Sequence, residues 1–188
     1  MAHSISQAFT KEKSDELYTP PILVGPIIRH LNNFYNKSNR KKLIILCPFD
    51  TKESEFVQAF SKFKHFEIKY GHIKTEQDFF NYDYGYYDIC ISNPPFNMKK
   101  VIYEKLLEQD KPFALLGNAM QINYEEIGRL FSKYEIQILS FDRRISYNGK
   151  PSSFMSCYFC YKFLDNNLIF ETLEHNNTGK KFVSSGMF

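Results

Sequence analysis

Asn93, Pro94, Pro95 and Phe96 directly follow the strand-like run Tyr87-Asp88-Ile89-Cys90-Ile91-Ser92. The Asn93 side-chain oxygen and the Pro94 backbone carbonyl are two acceptors on adjacent residues, and Phe96 offers a flat apolar face beside them. Such a pair can take both hydrogens of a planar exocyclic amine such as that of adenine, whose lone pair is otherwise delocalised into the ring. Hydrogen bonding and position then turn the lone pair toward an electrophilic methyl carbon. Prolines lack an N–H donor and have a fixed φ, so they end the strand's ladder and hold the acceptors still. Pro-Pro after a strand can be a bare stop signal, but here four specified positions lie between an apolar strand and an amphipathic helix. That helix is expected over 98–109, with Val101, Ile102, Lys105, Leu106 and Gln109 on adjoining turns.

The rest of the chain supplies elements able to hold this turn. Residues 1–14 are polar, without periodicity, and expected to be mobile; residues 15–172 read as one domain, and 173–188 as a polar tail. Tyr18-Thr19-Pro20-Pro21 leads into a helix over 22–36, with Leu23, Ile27, Leu31 and Phe34 at helical spacing. Strands are expected over 41–47, 66–70, 87–92, 112–116, 136–141 and 156–164. Helices are expected after 48–53, with Phe56, Val57, Phe60 and Phe63 on one side, and over 125–134. Alternating strands and helices call for a mostly parallel sheet with right-handed crossovers, and the last two strands can form an antiparallel edge. With 188 residues and 43% apolar content the chain can bury one substantial core.

Composition closes off several function classes. There is no run of roughly 18 apolar residues and no signal peptide, so a soluble cytoplasmic protein without membrane contact is expected. Cys157 and Cys160 are spaced C-x-x-C, yet on a strand this odd offset points them to opposite faces, and a second ligand pair at suitable spacing is absent. No metal site is expected, and Cys47 and Cys90 read as reduced core thiols. The aromatic share of 17%, with 19 Phe and 13 Tyr, accompanies abundant Asn, Lys and Ile, the pattern of AT-rich coding, and is no argument for base stacking. A net charge of +3 permits a nucleic-acid partner without requiring one; Lys99-Lys100, Arg143-Arg144 and Lys180-Lys181 read as solvated faces.

Over residues 18–164 the chain resembles the S-adenosylmethionine-dependent adenine-specific amino-methyltransferases, in particular the small type common in bacterial viruses and prophages, and more loosely the EcoRI-type enzymes. The resemblance implies a Rossmann-like class I methyltransferase, an α/β fold with a mostly parallel seven-stranded sheet, an antiparallel edge strand and helices on both faces. It makes Asn93, Pro94, Pro95 and Phe96 the catalytic turn, and places Tyr18, Thr19 and Pro20 near the methionine moiety of S-adenosylmethionine. The cofactor turn after the first strand, usually Gly-rich so that backbone can approach the ligand, departs from that pattern here as Pro48-Phe49-Asp50-Thr51-Lys52-Glu53-Ser54. In it Asp50 either meets the cofactor ammonium or, with Glu53, caps a helix. His72 and Ile73 occupy the place where an acidic residue usually meets the ribose; His72 could hydrogen-bond there or be an ordinary surface residue. Asp78 and Phe79 resemble the contact to the cofactor's adenine ring.

If the acceptor is adenine in duplex DNA, the base must leave the stack to reach Asn93. Arg143, Arg144, Tyr147 and Lys150, in a loop beside the sheet end that carries Asn93, are the candidate nucleic-acid contacts; an ordinary charged hairpin is the other reading. A methyltransferase core uses most of 188 residues, so either the recognised site is short or a second copy or partner protein helps to read it. RNA and protein amides are alternative acceptors, since the same turn serves them too. A methyltransferase fold without turnover, acting as a regulator or anti-defence factor, is the rival from another class.

Overall fold

The computed structural model describes residues 19–147, 150–151 and 155–173; the expectations for 1–14, for Tyr18 and for 174–188 lie outside them. Helix α1 (Pro21–Lys37) begins behind Pro20 in extended conformation, and Pro21 sits in the first turn, where a missing N–H costs nothing. Its buried stripe is Leu23, Val24, Pro26, Ile27 and Leu31, the expected helical face. Strands β1 (Leu43–Cys47), β2 (Phe66–Tyr70), β3 (Ile89–Ser92), β4 (Phe113–Asn118), β5 (Ile136–Phe141), β8 (Ser156–Tyr161) and β9 (Leu168–Glu171) form one sheet in the order β2-β1-β3-β4-β8-β5-β9. Strands β6 (Ser146–Tyr147) and β7 (Lys150–Pro151) make a separate hairpin.

The sheet has seven strands and is mostly parallel, as expected, and β5 pairs antiparallel with β8. The antiparallel strand is not at the edge, however. Strand β8 lies between β4 and β5, antiparallel to both, and β9 pairs in parallel with β5 to become the outer strand. The return through 162–167 accounts for this. Buried Gln137 on β5 donates to the Leu164 carbonyl at 2.7 Å and accepts from the Phe163 and Leu164 N–H groups, each at 2.9 Å. Those bonds turn the chain back onto β5, so that Leu168, Ile169, Phe170 and Glu171 run alongside it. Leu173, expected to open the polar tail, is 1% exposed and belongs to the core.

Helices α1 and α2 (Glu55–Phe60) cover one face of the sheet, and α3 (Lys99–Glu108) and α4 (Glu125–Phe131) the other. Successive strand side chains alternate between the faces. On β4, Ala114 and Leu116 meet the α1–α2 layer while Phe113 and Leu115 meet α3–α4; on β8, Tyr158 and Cys160 face the first layer and Cys157, Phe159 and Tyr161 the second. Cys157 and Cys160 are therefore buried on opposite faces, and no metal-binding cluster occurs among the described residues. Each fully buried large side chain, such as Phe113 or Phe159, contributes on the order of 2–3 kcal/mol. On α3 the buried face is Ile102, Tyr103, Leu106 and Leu107, while Val101 is 41% exposed. No helix among the described residues is long and apolar enough to cross a membrane.

Candidate active site

Strand β1 lies between β2 and β3, so the chain leaves it in one direction toward β2 and later returns to the other side at β3. The loops after β1 and β3 diverge at that switch point, the place where ligands generally bind in open α/β sheets. Asp50 stands in the first loop and Asn93 in the second.

Asp50 is 5% exposed. Its N–H donates to the Gly71 carbonyl at 3.0 Å, and the Gly71 N–H donates to the Cys47 carbonyl at 3.2 Å, so the β1–β2 ladder is prolonged into the two loops. The carboxylate accepts from the Ser92 hydroxyl, a bond that joins the ends of β1 and β3. Burial pushes its pKa from the ordinary 3.8 up to about 7, against hydrogen bonds from Ser92 and Ser54 that lower it. Among the described residues no cation pairs with it. Of the two readings left open for Asp50, helix capping is not adopted: α2 begins at Glu55 with Ser54 at the cap position, and the Asp50 carboxyl is engaged by Ser92. A buried carboxylate without a counter-charge among the described residues suits a ligand that carries an ammonium group.

Pro94 is buried, Asn93 and Pro95 are half-buried, and Phe96 is 36% exposed, so the corner is only partly covered. Pro95, at φ −59° and ψ 140°, ends the extended segment, and a single 3-10 turn (Phe96–Met98) then leads into α3. Lys99, expected on a solvated face with Lys100, is instead 4% exposed. Its stem runs into the α3 layer, and its ammonium lies 4.3 Å from the centroid of the Phe96 ring.

The positions expected to meet a cofactor surround the same end of the sheet. Thr19 is buried and Pro20 half-buried at the start of α1. Pro48 is buried, and Phe49 meets Phe79 edge-on with centroids 5.1 Å apart, which joins the loop after β1 to the loop before β3. Phe79 is 4% exposed beneath Lys105, whose Nζ donates to the Phe79 carbonyl at 2.7 Å and lies 4.7 Å over the ring. The Asp78 carboxylate accepts from the Phe80 N–H at 3.1 Å and from Asn81 Nδ2 at 2.6 Å, which shapes the turn. His72 accepts from the Lys74 N–H at 3.1 Å through Nδ1 and caps the 3-10 turn Ile73–Thr75, in which Ile73 is half-buried. The Ser54 hydroxyl also accepts from the Thr51 N–H at 2.9 Å.

The expected nucleic-acid residues do not act as one set. Tyr147 is 6% exposed with its hydroxyl 2.8 Å from Ser156 Oγ, so it is a core residue and has no ring face to offer a partner. Arg143 reaches the Asp142 carboxylate at 3.1 Å and the Leu173 carbonyl, tying the end of the domain to the loop after β5. Arg144 is exposed, and Lys150 begins β7. The hairpin does lie at that end of the sheet, because Tyr147 meets Ser156 at the start of β8, which pairs with Asn118 at the end of β4. A cavity of about 680 Å³ lined by Arg40, Asp88, Lys111 and Lys162 lies at the opposite end of the strands.

Sequence reasoning missed Ser92 and Lys99 as neighbours of the site, and Gly71 as a point of close packing beside it. A side-chain carbon on Gly71 would fall 2.3 Å from the Tyr84 hydroxyl, so the glycine is required by a close approach from the loop before β3. The only sequence signal for Lys99 is its position three residues after Phe96, at the start of an amphipathic helix.

No protein-family model matches the chain, and no curated protein matches it in sequence. Among the solved structures that resemble it in fold are the following two. One is a Listeria monocytogenes protein assigned to the class I S-adenosylmethionine-dependent methyltransferases, with a TM-score of 0.54 and 10% identity over 90% of this chain and 69% of that one. The other is a Vibrio vulnificus protein assigned as the modification subunit of a type I restriction enzyme, with a TM-score of 0.55 and 11% identity over 94% of this chain. This chain spans 51% of that subunit's length. The fold is that of the class I methyltransferases, a mostly parallel seven-stranded sheet with helices on both faces.

Proposed function

We propose that this protein transfers a methyl group from S-adenosylmethionine to the exocyclic amine of adenine in DNA, with short or relaxed site specificity, in the manner of enzymes encoded by viruses and prophages. The observation that carries the reading is the Asn93-Pro94-Pro95-Phe96 corner at the switch point of a class I methyltransferase sheet, joined through Ser92 to the buried Asp50. When bound, S-adenosylmethionine supplies an electrophilic methyl carbon on a sulfonium. Asp50 would hold its ammonium group, with Ser54, Pro48 and Phe49 forming the turn around it and Tyr18, Thr19 and Pro20 along the methionine moiety. His72 and Ile73 would line the ribose, and Asp78 and Phe79 the adenine ring.

The target adenine would be rotated out of the duplex and stacked on Phe96. Asn93 Oδ1 and the Pro94 carbonyl would each accept one amine hydrogen, leaving the nitrogen lone pair directed at the methyl carbon. The amine nitrogen would thereby be held to take the methyl group and would lose one proton to solvent water, while Asn93 and the Pro94 carbonyl keep it in position. Arg144 and Lys150 would supply the cations that meet phosphates. The likeness to a restriction-enzyme modification subunit supports a DNA acceptor and a second copy or partner protein that shares target reading. Adenine in RNA and amides in protein are acceptors the same corner could serve.

A second reading has one observation in its favour. With the carboxyl held near 7 and already hydrogen-bonded by Ser92, Asp50 is only partly ionised at neutral pH, as suits a methyltransferase fold that binds partners without turnover. Incubation with methyl-labelled S-adenosylmethionine and separate DNA, RNA and protein pools, followed by mass spectrometry, decides between them. N6-methyladenine in the DNA pool is the expected product. Label in none of the pools, with no cofactor binding at millimolar concentration by calorimetry, would overturn the enzyme reading.

A further inference from the structure

The amino ends of β1, β3 and β4 and the carboxyl end of β8 come together on the side of the sheet opposite Asn93, around the cavity of about 680 Å³. That volume suits a small-molecule site. Four cations line it, Lys37, Arg40, Lys111 and Lys162, against three carboxylates, Asp88, Asp110 and Asp165. Each carboxylate is already engaged. Asp88, its side chain 4% exposed, accepts from the Ile44 N–H at 2.8 Å, the Tyr86 hydroxyl at 2.5 Å and Arg40 at 3.1 Å. Asp110 accepts from Lys162 at 2.6 Å and from the Tyr161 hydroxyl at 2.8 Å, and Asp165 pairs with Lys37. Lys111 is the charge left over. It is half-buried, its Nζ donates to the Tyr87 carbonyl at 3.1 Å, and no carboxylate among the described residues pairs with it.

The wall beside Lys111 is held still. Tyr86 is 52% exposed, yet its hydroxyl is fixed by Asp88 and its carbonyl accepts from Lys69 Nζ at 2.8 Å. Lys111 Nζ lies 4.6 Å from the Tyr86 ring centroid and the Arg40 guanidinium 5.8 Å from it, so this one ring gathers both cations at one part of the wall. A phosphoryl group has enough acceptor oxygens to take the Arg40 fork and the Lys111 ammonium together. Phe34 and Pro112 add apolar lining for an organic portion. The pairs Lys37–Asp165 and Lys162–Asp110 have exposed side chains, contribute little to stability and can open toward a ligand.

We propose that this cavity is a second ligand site, which takes a small organic phosphate of mononucleotide size with Lys111 and Arg40 on its phosphoryl oxygens. Asp88 is a positioning residue there, saturated by its donors and holding Arg40 and Tyr86 in place. The site does not depend on methyl transfer.

The test is calorimetry on the full chain with uridine 5′-monophosphate, phenyl phosphate, uridine and inorganic phosphate. The expected result is binding of at least one of the two organic phosphates, at least about tenfold tighter than uridine or inorganic phosphate. Lys111→Met should weaken that binding at least about tenfold with circular dichroism unchanged, and Arg40→Met should do likewise. Saturating S-adenosylmethionine should leave it unaltered, because Asn93 and the cavity lie at opposite ends of the strands. No binding of either organic phosphate at millimolar concentration, or unchanged affinity in Lys111→Met, overturns the proposal. Inorganic phosphate binding as tightly as the organic phosphates would reduce the site to an adventitious ion only. Tighter binding of a 5′-phosphorylated single-stranded oligonucleotide than of the mononucleotide would assign the cavity to a strand end and overturn a small-molecule ligand.

Discussion

The Asp50 carboxyl should destabilise the free protein in a way that pH reveals. In the unfolded chain it ionises at the ordinary 3.8, whereas burial in the folded protein delays ionisation to about 7. Between those values the folded state binds more protons than the unfolded one, so stability falls as pH rises through this window. The penalty is absent below 3.8 and complete above 7. At 1.36 kcal/mol for each tenfold change in the ionisation constant, it amounts to about 2 kcal/mol at pH 5.5 and about 4 kcal/mol at pH 8. Asp50→Asn keeps the shape and removes the charge, so the variant should gain on the parent by about 2 kcal/mol more at pH 8 than at pH 5.5. Whatever it loses in weakened hydrogen bonds to Ser92 and Ser54 is the same at both pH values and cancels in the difference. Urea unfolding of both proteins at the two pH values measures it. An equal stability difference at both would refute the burial argument. The same variant should bind S-adenosylmethionine on the order of 10- to 100-fold more weakly, having lost a charged partner for the ammonium; unchanged affinity would remove Asp50 from the cofactor site.

Asn93→Ala should lower methyl transfer by at least about 100-fold while circular dichroism and thermal stability stay close to the parent, because the side chain is half-buried at a surface corner; full activity would refute its assignment. Gly71→Ala should cost on the order of 1–3 kcal/mol by driving a methyl group against the Tyr84 hydroxyl, and Tyr84→Phe in the same chain should recover part of it in urea unfolding. Gln137→Leu strands the Leu164 carbonyl and the Phe163 and Leu164 N–H groups. It should cost about 3 kcal/mol or more, with hydrogen exchange of the β9 amides accelerated first.

Local pattern was enough for most of the elements and for the extended, proline-stiffened shape of the corner. Helical spacing of Leu23, Ile27 and Leu31, alternation along β4 and β8, and the two prolines after Ser92 are short-range properties, and each acts through its own residues' φ, ψ and burial. That is why Asn93, Pro94, Pro95 and Phe96 were legible as a rigid acceptor pair beside an aromatic, and why Cys157 and Cys160 could be sent to opposite faces. Everything that depends on residues distant in the chain had to wait for the packed molecule. Whether Asp50 caps a helix or meets Ser92 turns on the parallel placement of β1 beside β3, and whether Tyr147 is free turns on Ser156. The place of β8 inside the sheet depends on Gln137 capturing the turn at 163–164. Lys99 looked solvated because charge alone predicts exposure; only the packed molecule shows it buried against Phe96. Sequence spacing sets which atoms a residue brings, while the three-dimensional arrangement sets the dielectric and the partners those atoms meet, and for Asp50 and Lys99 it is the latter that governs charge.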